Sequence, residues 1–307
     1  MDIQLSDGST WSLAAVSDLL ARRCGGGVHN LQLLSNGQST ILSGTQISSG
    51  LQVIVKLTIT PGTAKSEAYF LAEWRRKGVP VPNIILMDDA SRNHEPDILV
   101  MERIDGVPLT NSRPISADMV KRIAQLQSLM HLTAGKGYGR PVKNTPWHGV
   151  ANTFSDEMEI EWEQRLAQLA QHRIFPGDLR SKFVFATTFI ETHCNSNNTS
   201  NASTLTHSDL SMNNIILNKN GALVIIDPNC RLTHPAMCAA YTFLRLSLEE
   251  GPNIAQIYKN YYLSYSGICD SAFDAALKLR AMLSISTWLK KEKFSEAVSA
   301  VSIAGLV

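Results

Sequence analysis

The chain has 307 residues, of which 44% are hydrophobic and 18% charged, so it can bury the core of one large domain or of two smaller ones. Its 28 basic and 27 acidic side chains leave a net charge of +1, which excludes nucleic-acid or membrane binding driven by overall charge. The five cysteines are scattered and form no CxxC motif, so we expect neither a disulfide framework nor a zinc site. No apolar run approaches the ~18 residues of a membrane span, and no signal-peptide pattern is present. We therefore expect a soluble cytoplasmic protein.

The first third of the sequence alternates short β-rich runs with turns rich in Gly, Ser and Asn. The runs predicted as strands are LQLLSN, STIL, LQVIVKLTI, IILM and DILVMERI. Between the third and fourth runs, residues 64–78 have the apolar spacing of a helix that ends at Gly78. The three glycines at 25–27 follow another predicted helix and are interpreted as its end. This pattern predicts a small sheet with one helix inserted.

The remainder of the sequence is predicted to be mostly helical. Predicted helices cover residues 115–132, 155–173 and 182–193, and helices resume at Pro235. The first of them carries Met119, Ile123, Leu126 and Met130 on one face. A polar run at 195–204 predicts a loop. After it, NNIIL and ALVIID are predicted strands joined by the turn residues NKNG.

That predicted hairpin brings polar side chains to one end of two strands. His207, Asp209 and Asn214 precede the first strand and Asp227 follows the second, so all four emerge at the same end. One carboxylate is free to take a proton, while an amide oxygen and a second carboxylate are the hard ligands that Mg²⁺ prefers. By itself, HSDLSMNN is equally typical of an Asp/Asn turn that precedes a strand. The set as a whole indicates phosphoryl transfer.

The spacing of these residues resembles that of a known family. His207-Ser208-Asp209 followed by Asn214, and then Ile225-Ile226-Asp227, resembles the HxDxxxxN and distal Asp motifs of the aminoglycoside phosphotransferase family. These enzymes are relatives of protein kinases and also include choline and fructosamine kinases. The resemblance continues upstream in VIVKLTI, SEAYFLAEW, GVPVPNII and LVMERIDGVPL, and it covers about residues 31–246.

The resemblance implies an α+β, two-lobed, protein-kinase-like fold. A small antiparallel-sheet lobe would bind the nucleotide, and a larger, mainly helical lobe would carry the catalytic residues and bind the substrate. The boundary is expected within residues 102–106, which gives a nucleotide-binding lobe at 1–105 and a catalytic lobe at 106–307.

The resemblance also implies roles for individual residues. Asp209 would be the catalytic base that accepts the proton of the substrate hydroxyl, and His207 would orient its loop. Asn214 and Asp227 would hold Mg²⁺, and Lys56, fixed by Glu67, would contact the phosphates of ATP or GTP. The backbone of Glu102 and Ile104 would contact the base, with Met101 lining the pocket behind it.

Three features depart from the family pattern. Ser208 replaces a common glycine, and Pro228-Asn229 follow Asp227 in place of the protein-kinase Phe-Gly. The phosphate loop LSNGQST has one glycine, Gly37, so polar contacts would come from Ser35, Asn36 and Ser39.

Several patterns have more than one interpretation. Glu73 is an alternative to Glu67 as the partner of Lys56, although Glu67 matches the family better. His234 and Cys238 have i, i+4 spacing, which is compatible with metal binding but more typical of packing. The acidic series at Asp156, Glu157, Glu159, Glu161 and Glu163 either contacts a cationic substrate or forms a solvated helix face.

The function expected from the sequence is a small-molecule kinase that phosphorylates a hydroxyl, with an aminoglycoside-like antibiotic as the leading acceptor. A fructosamine- or choline-type metabolite kinase is the alternative with the same chemistry, and a non-catalytic nucleotide-binding module is an alternative of another class. A protein acceptor is not expected, because helical sequence resumes soon after Asp227. We expect no nucleic-acid or membrane partner.

Overall fold

The computed structural model describes residues 2–24, 27–37, 39–89, 95–112, 114–172, 176–195 and 203–306. In chain order, the first elements are β1 (Asp2–Gln4), β2 (Thr10–Ser12), α1 (Leu13–Cys24), β3 (Val28–Asn36), β4 (Thr40–Gln46), β5 (Gln52–Thr58), α2 (Thr63–Arg76), β6 (Ile84–Asp88), β7 (Asp97–Glu102) and β8 (Gly106–Pro108). The next are α3 (Ala117–Met130), β9 (Tyr138–Val142), β10 (Thr145–Ala151), α4 (Phe154–Gln171), α5 (Pro176–Asn195), β11 (Thr204–His207), β12 (Ile215–Asn218), β13 (Leu223–Ile225) and β14 (Cys230–Thr233). The last are α6 (Pro235–Glu249), α7 (Pro252–Ser266), α8 (Asp270–Lys290) and α9 (Phe294–Ile303). The predicted mixture of helices and antiparallel sheets is confirmed.

The chain packs as two compact units. The first contains Met1–Val107 together with two later segments, Val142–Pro146 and Ile216–Asp227. The second contains Pro108–Pro141, Trp147–Ile215 and Pro228–Val307. The division at residue 105 into a nucleotide lobe and a catalytic lobe stays a prediction about function; in packing, the hairpin segment and Asp227 belong to the first unit.

The main sheet of the first unit has the strand order β3-β4-β5-β7-β6 and antiparallel pairing throughout. Side chains alternate between the two faces of a strand, so Val53, Val55 and Leu57 of β5 pack into one core with α1. Ile54 faces the other way, toward the cluster that α2 forms with β7. Lys56 has the same parity as Ile54, and this places its side chain on the α2 face.

The predicted helix at 64–78 is confirmed as α2, which begins at Thr63 and is followed by Gly78 at φ 83°. Ala64 and Ala68 of this helix pack against Leu99 and Met101 of β7. Glu67 precedes Ala68 on the helix, so it lies beside the sheet face that carries Lys56. Strands β1 and β2, which pair with each other, are not predicted by the sequence patterns.

The predicted hairpin is confirmed as β12 and β13, which lie in a three-stranded sheet of order β13-β12-β8. The turn is closed by Asn218, whose side-chain oxygen accepts hydrogen bonds from the backbone N–H groups of Asn220 and Ala222. Gly106 of β8 lies so close to this hairpin that a Cβ atom there would be 2.4 Å from the Leu217 carbonyl oxygen. A glycine is therefore required where β8 meets β12.

The second unit combines helices with a sheet of order β10-β9-β14-β11. The register of β11 and β14 pairs Thr204 with Thr233 and His207 with Cys230. This pairing corrects the predicted loop at 195–204, because Thr204 begins a strand; residues 196–202 lie outside the described residues. Strands β9, β10 and β14 are also not predicted from the sequence.

Two helix predictions need correction. The helix predicted at 182–193 is longer, because α5 begins at Pro176, a residue tolerated in a first helical turn, and ends at Asn195. Helix α3 is present, but its buried face includes Val120 and Gln127, whereas Met119 and Leu126 are only half-buried. Part of the cost of burying Gln127 is offset by a hydrogen bond that its Oε1 accepts from the Tyr258 hydroxyl, 131 residues away in the sequence. Among the helices that the structure describes, none is long and apolar enough to cross a membrane.

Candidate active site

Lys56 lies between two carboxylates in the first unit. Its Nζ atom is 2.7 Å from Glu67 Oε1 and 2.6 Å from Asp227 Oδ1. The side chains of Lys56 and Glu67 are 8% and 4% exposed, whereas that of Asp227 is 46% exposed. A strand, a helix and the end of a hairpin thus meet at one buried ammonium group.

The charge of this ammonium group depends on its two partners. Burial alone would lower the pKa of Lys56, but the negative charges of Glu67 and Asp227 and their hydrogen bonds raise it above its ordinary value. Lys56 is therefore a fixed cation near neutral pH. Losing either carboxylate would leave a buried charge less well compensated.

Glu67, and not Glu73, is the helical carboxylate that contacts Lys56. Glu73 instead forms an ion pair with Arg76 one turn further along α2. The two glutamates are six residues apart, so they leave the helix on different faces, and only Glu67 is directed toward β5. The pairing preferred in the sequence analysis is present.

Asp227 adopts a left-handed backbone conformation, with φ 50°. It lies two residues beyond the end of β13, and Asp is among the residues that enter this region most readily. In this conformation its carboxylate reaches Lys56. The three-way contact therefore depends on backbone geometry that the sequence does not reveal.

In the second unit, a short loop carries Asp209 immediately after β11. The Asp209 backbone N–H donates to Nδ1 of the buried His207, at 3.2 Å. Asn214 Nδ2 donates to the Asp209 carbonyl oxygen at 2.8 Å and approaches Asp209 Oδ2 at 3.5 Å. His207 and Asn214 thus hold the backbone on both sides of Asp209, and its half-buried carboxylate stands at the loop surface.

Ser208 fits into the loop in place of the glycine common in the family. Its backbone N–H donates to the Asn229 carbonyl oxygen at 2.9 Å, and its hydroxyl donates to the same oxygen at 3.1 Å. The hydroxyl thus adds a second hydrogen bond to the Asn229 carbonyl oxygen.

Sequence reasoning missed three residues of helices α6 and α8 that contact the Asp209 loop. They are Tyr241, Thr242 and Arg280, which hydrogen-bond to Asp209, Leu210 and Ser208 respectively. Each lies more than 30 residues beyond the loop in an ordinary helical pattern. No local signal in the sequence could have identified them.

The expected hinge residues lie at the end of β7. Met101 is buried against α2, and the Glu102 backbone N–H donates to the Asn83 carbonyl oxygen at 2.9 Å. Asn83 also donates through its side chain to Glu102 Oε2, at 2.6 Å. The Glu102 N–H is therefore engaged within the protein, and contact of the Glu102 backbone with a base stays a prediction. Ile104 lies beyond the strand and is half-buried.

The expected phosphate loop joins β3 to β4. Ser35 is exposed near the end of β3, and the Ser39 hydroxyl lies 3.2 Å from the Thr58 hydroxyl. Asn36 accepts a hydrogen bond from Thr40 and donates one to the Gln4 carbonyl oxygen. Of the residues singled out, Asn36 has a structural role here, while Gln38 lies outside the described residues.

The donor groups assigned to magnesium have suitable chemistry. Because Asn214 donates its amide nitrogen to the Asp209 backbone, its amide oxygen is directed away from that bond and can serve as a ligand. Asp227 supplies a half-exposed carboxylate. Taken separately, each of these oxygens is a hard donor of the kind that Mg²⁺ prefers, and their joint use as a metal site stays a prediction.

The other candidate metal pair has a packing role. His234 and Cys238 are both buried, and His234 Nδ1 accepts a hydrogen bond from the Ala236 N–H at the start of α6. Within the described ranges, no three His, Cys, Asp or Glu side chains are grouped so that they could hold a metal ion. His234 is therefore a helix cap.

The acidic series of α4 divides by burial. Glu157 and Glu161 are buried and both bind the guanidinium of Arg231. Glu159 forms an ion pair with Arg180 at the surface. At least two members of the series thus neutralise a cation inside the protein, which leaves the exposed members as the ones that a cationic substrate could reach.

Comparisons with known proteins identify the family of the chain. A sequence model of the phosphotransferase enzyme family, APH, matches residues 48–277. No curated protein sequence matches the chain significantly.

Solved structures share the fold at low sequence identity. A thermostable mutant of aminoglycoside phosphotransferase APH(4)-Ia, in ternary complex with AMP-PNP and hygromycin B, is 16% identical, with a TM-score of 0.66 over 95% of this chain and 97% of that chain. A protein assigned as a fructosamine-3-kinase from Haemophilus somnus 129PT is 14% identical, with a TM-score of 0.62 over 95% and 96%. Spectinomycin phosphotransferase APH(9)-Ia, in its AMP-bound complex, is 12% identical, with a TM-score of 0.58 over 95% and 97%.

The family match spans most of the chain and includes both Lys56 with its carboxylates and the Asp209 loop. The chain therefore belongs to the phosphotransferase enzyme family APH, whose members transfer a phosphoryl group to a hydroxyl acceptor.

Proposed function

We propose that this protein transfers the γ-phosphate of ATP or GTP to a hydroxyl group of a small molecule, with aminoglycoside-like antibiotics as the first acceptor class. The observation that carries the proposal is the buried ammonium of Lys56 between Glu67 and Asp227. Burying one cation with two carboxylates is costly, and hydrophobic residues would serve stability equally well. We therefore assign this cluster the function of binding the phosphates of the nucleotide.

The proposed chemistry gives each of the central residues one role. Asp209 accepts the proton of the acceptor hydroxyl as its oxygen bonds to the γ-phosphorus and the bond to the nucleoside diphosphate breaks. Lys56 binds the phosphates and offsets their negative charge, with Glu67 holding it in place. His207 orients the loop through the backbone of Asp209.

Asn214 and Asp227 are the residues that would hold magnesium. When bound, the ion would neutralise part of the negative charge on the phosphates. The expected base-binding groups are the backbone of Glu102 and Ile104 beside Met101, and the expected phosphate contacts are Ser35 and Ser39. Because the co-substrate is a nucleoside triphosphate, we propose that the enzyme acts in the cytoplasm, and we assign it no nucleic-acid or membrane partner.

The acceptor class is supported by two kinds of neighbour. One structural neighbour was crystallised with hygromycin B and another is a spectinomycin phosphotransferase, which favours an antibiotic and a role in resistance. The fructosamine-3-kinase neighbour keeps a ketosamine acceptor as the second candidate. Both candidates use the same proton acceptor and differ only in the pocket that binds the substrate.

A screen of acceptors tests the proposal. Nucleoside diphosphate release is measured in a coupled assay with ATP or GTP, with and without Mg²⁺, across aminoglycosides, ketosamines and amino-alcohols. Mass spectrometry then identifies the phosphorylated acceptor, and the Asp209→Asn protein is the matched control. We expect Mg²⁺-dependent release that requires one acceptor class. Nucleotide binding without release for any acceptor would instead identify a non-catalytic nucleotide-binding module.

A further inference from the structure

The carboxylate of Asp209 receives a hydrogen bond from a side chain outside the catalytic motif. The Tyr241 hydroxyl, on helix α6, donates to Asp209 Oδ1 at 2.5 Å. Among the residues that the structure describes, the other carboxylate oxygen, Oδ2, has only the long 3.5 Å approach of Asn214 Nδ2. The two oxygens of the proposed base therefore have different surroundings: one is firmly held and the other is available.

Tyr241 belongs to a set of three contacts that fix successive residues of the loop. Arg280 Nη2 donates to the Ser208 carbonyl oxygen at 2.7 Å, before Asp209. The Thr242 hydroxyl donates to the Leu210 carbonyl oxygen at 3.1 Å, after it. Two helices thus hold the backbone on both sides of Asp209 and the side chain between them.

The ring of Tyr241 is itself held in place. The Arg280 guanidinium lies 4.4 Å from the ring centroid, a cation–π distance. Burial, together with the negative charge of Asp209, raises the pKa of Tyr241 above its ordinary value. The phenol therefore keeps its proton near neutral pH and remains a donor to the carboxylate.

We propose that Tyr241 is a positioning residue that holds Asp209 through Oδ1 and thereby presents Oδ2 to the acceptor hydroxyl. This inference rests on the proposed function. The carboxylate of an aspartate can rotate about its Cβ–Cγ bond. A hydrogen bond to Oδ1 restricts this rotation before the substrate binds. Preorganisation of this kind lowers the barrier to proton transfer, whereas it contributes little to nucleotide binding.

The test compares two Tyr→Phe variants that each lose one side-chain hydrogen bond. Tyr241→Phe removes the bond to Asp209, whereas Tyr262→Phe removes a bond of 2.8 Å to His131 Nδ1 in the same unit. With the acceptor identified by the screen, we expect Tyr241→Phe to lower kcat roughly 10- to 100-fold while the KM for nucleotide is unchanged. Tyr262→Phe should leave kcat unchanged. Equal kcat values for Tyr241→Phe and the wild type would overturn the positioning role.

A second measurement does not require activity. The shift in Tm is determined for Tyr241→Phe, Asp209→Ala and the double variant. We expect the shifts to be non-additive, because each single variant removes the same hydrogen bond. Additive shifts would show that the two side chains do not interact and would overturn the inference. If the shifts are non-additive but wild-type protein phosphorylates no acceptor, the proposed function fails while the contact stands.

Discussion

Lys56 and Glu67 lie eleven residues apart in the sequence, on a strand and on a helix, yet Nζ of one is 2.7 Å from Oε1 of the other, and both side chains are buried. Because both side chains are buried from water, the charge of each is compensated by the other. Asp227 contributes a second, more exposed carboxylate to the same ammonium group. Substitutions of these three residues should therefore differ in their effects.

Removing the cation should be more harmful than removing the buried anion. Lys56→Met leaves Glu67 buried without a cation, and we expect it to lower the free energy of unfolding by roughly 3–5 kcal/mol. Glu67→Gln leaves Lys56 paired with Asp227, so its cost should be smaller. In chemical denaturation, a double-mutant cycle should give a coupling above ~0.5 kcal/mol. The matched control is the Asp105–Lys219 pair, which has the same 2.7 Å distance but exposed side chains and should show no measurable coupling.

Asp209→Asn should separate chemistry from nucleotide binding. The amide cannot accept a proton, so we expect kcat to fall by about 10²- to 10⁴-fold, the usual contribution of a general base. Its shape is nearly unchanged, so the dissociation constant for nucleotide should remain that of the wild type. A fluorescent nucleotide titration and the coupled release assay measure the two quantities. Near-wild-type turnover would remove Asp209 from the role of base.

Asp227→Asn should act on nucleotide binding through magnesium. Asn tolerates the left-handed backbone conformation that Asp227 adopts, so the substitution removes charge without backbone strain. We expect Mg²⁺-dependent nucleotide affinity to fall by at least ~10-fold, whereas affinity measured with EDTA should change less. Identical Mg²⁺ dependence in the variant and the wild type would show that Asp227 does not bind the metal.

Stability should fall in mild acid because of His234. Burial lowers the pKa of His234 from 6.5 to about 4, so below pH 6.5 the unfolded state binds a proton that the folded state does not. Stability is therefore lost as pH falls from 6.5 toward 4, by up to about 3 kcal/mol at ~1.4 kcal/mol per pH unit. His131, whose pKa burial lowers to about 3, adds a loss of the same sign.

The variant His234→Asn tests this assignment. Asn can still cap the start of α6 but has no proton to gain, so its unfolding free energy should depend less on pH between 6.5 and 4. His148→Asn, at an exposed position, is the control and should retain the wild-type dependence. A His234→Asn protein with the full wild-type slope would assign the acid sensitivity to other groups.

The sequence by itself determined the elements whose signals are local. The alternation in VIVKLTI defines β5 and its two faces, the 3.6-residue spacing before Gly78 defines α2, and the turn residues NKNG define the hairpin. These patterns arise from interactions within a few residues, so they can be read without the rest of the chain. The same holds for the spacing of Asp209 and Asn214, which lie on one short loop.

Only the tertiary structure decided which distant groups meet. Periodicity leaves Lys56 on a face of β5, but packing against α2 selects Glu67 over Glu73, and the left-handed Asp227 adds a third partner. Tyr241 is an unremarkable helical residue until α6 packs beside β11 and its hydroxyl reaches Asp209. Contacts of this kind depend on how whole helices and strands pack, and burial together with the neighbouring charges then determines the charge states of the side chains. A sequence names the chemical groups of such a site, whereas packing determines which of them are held together.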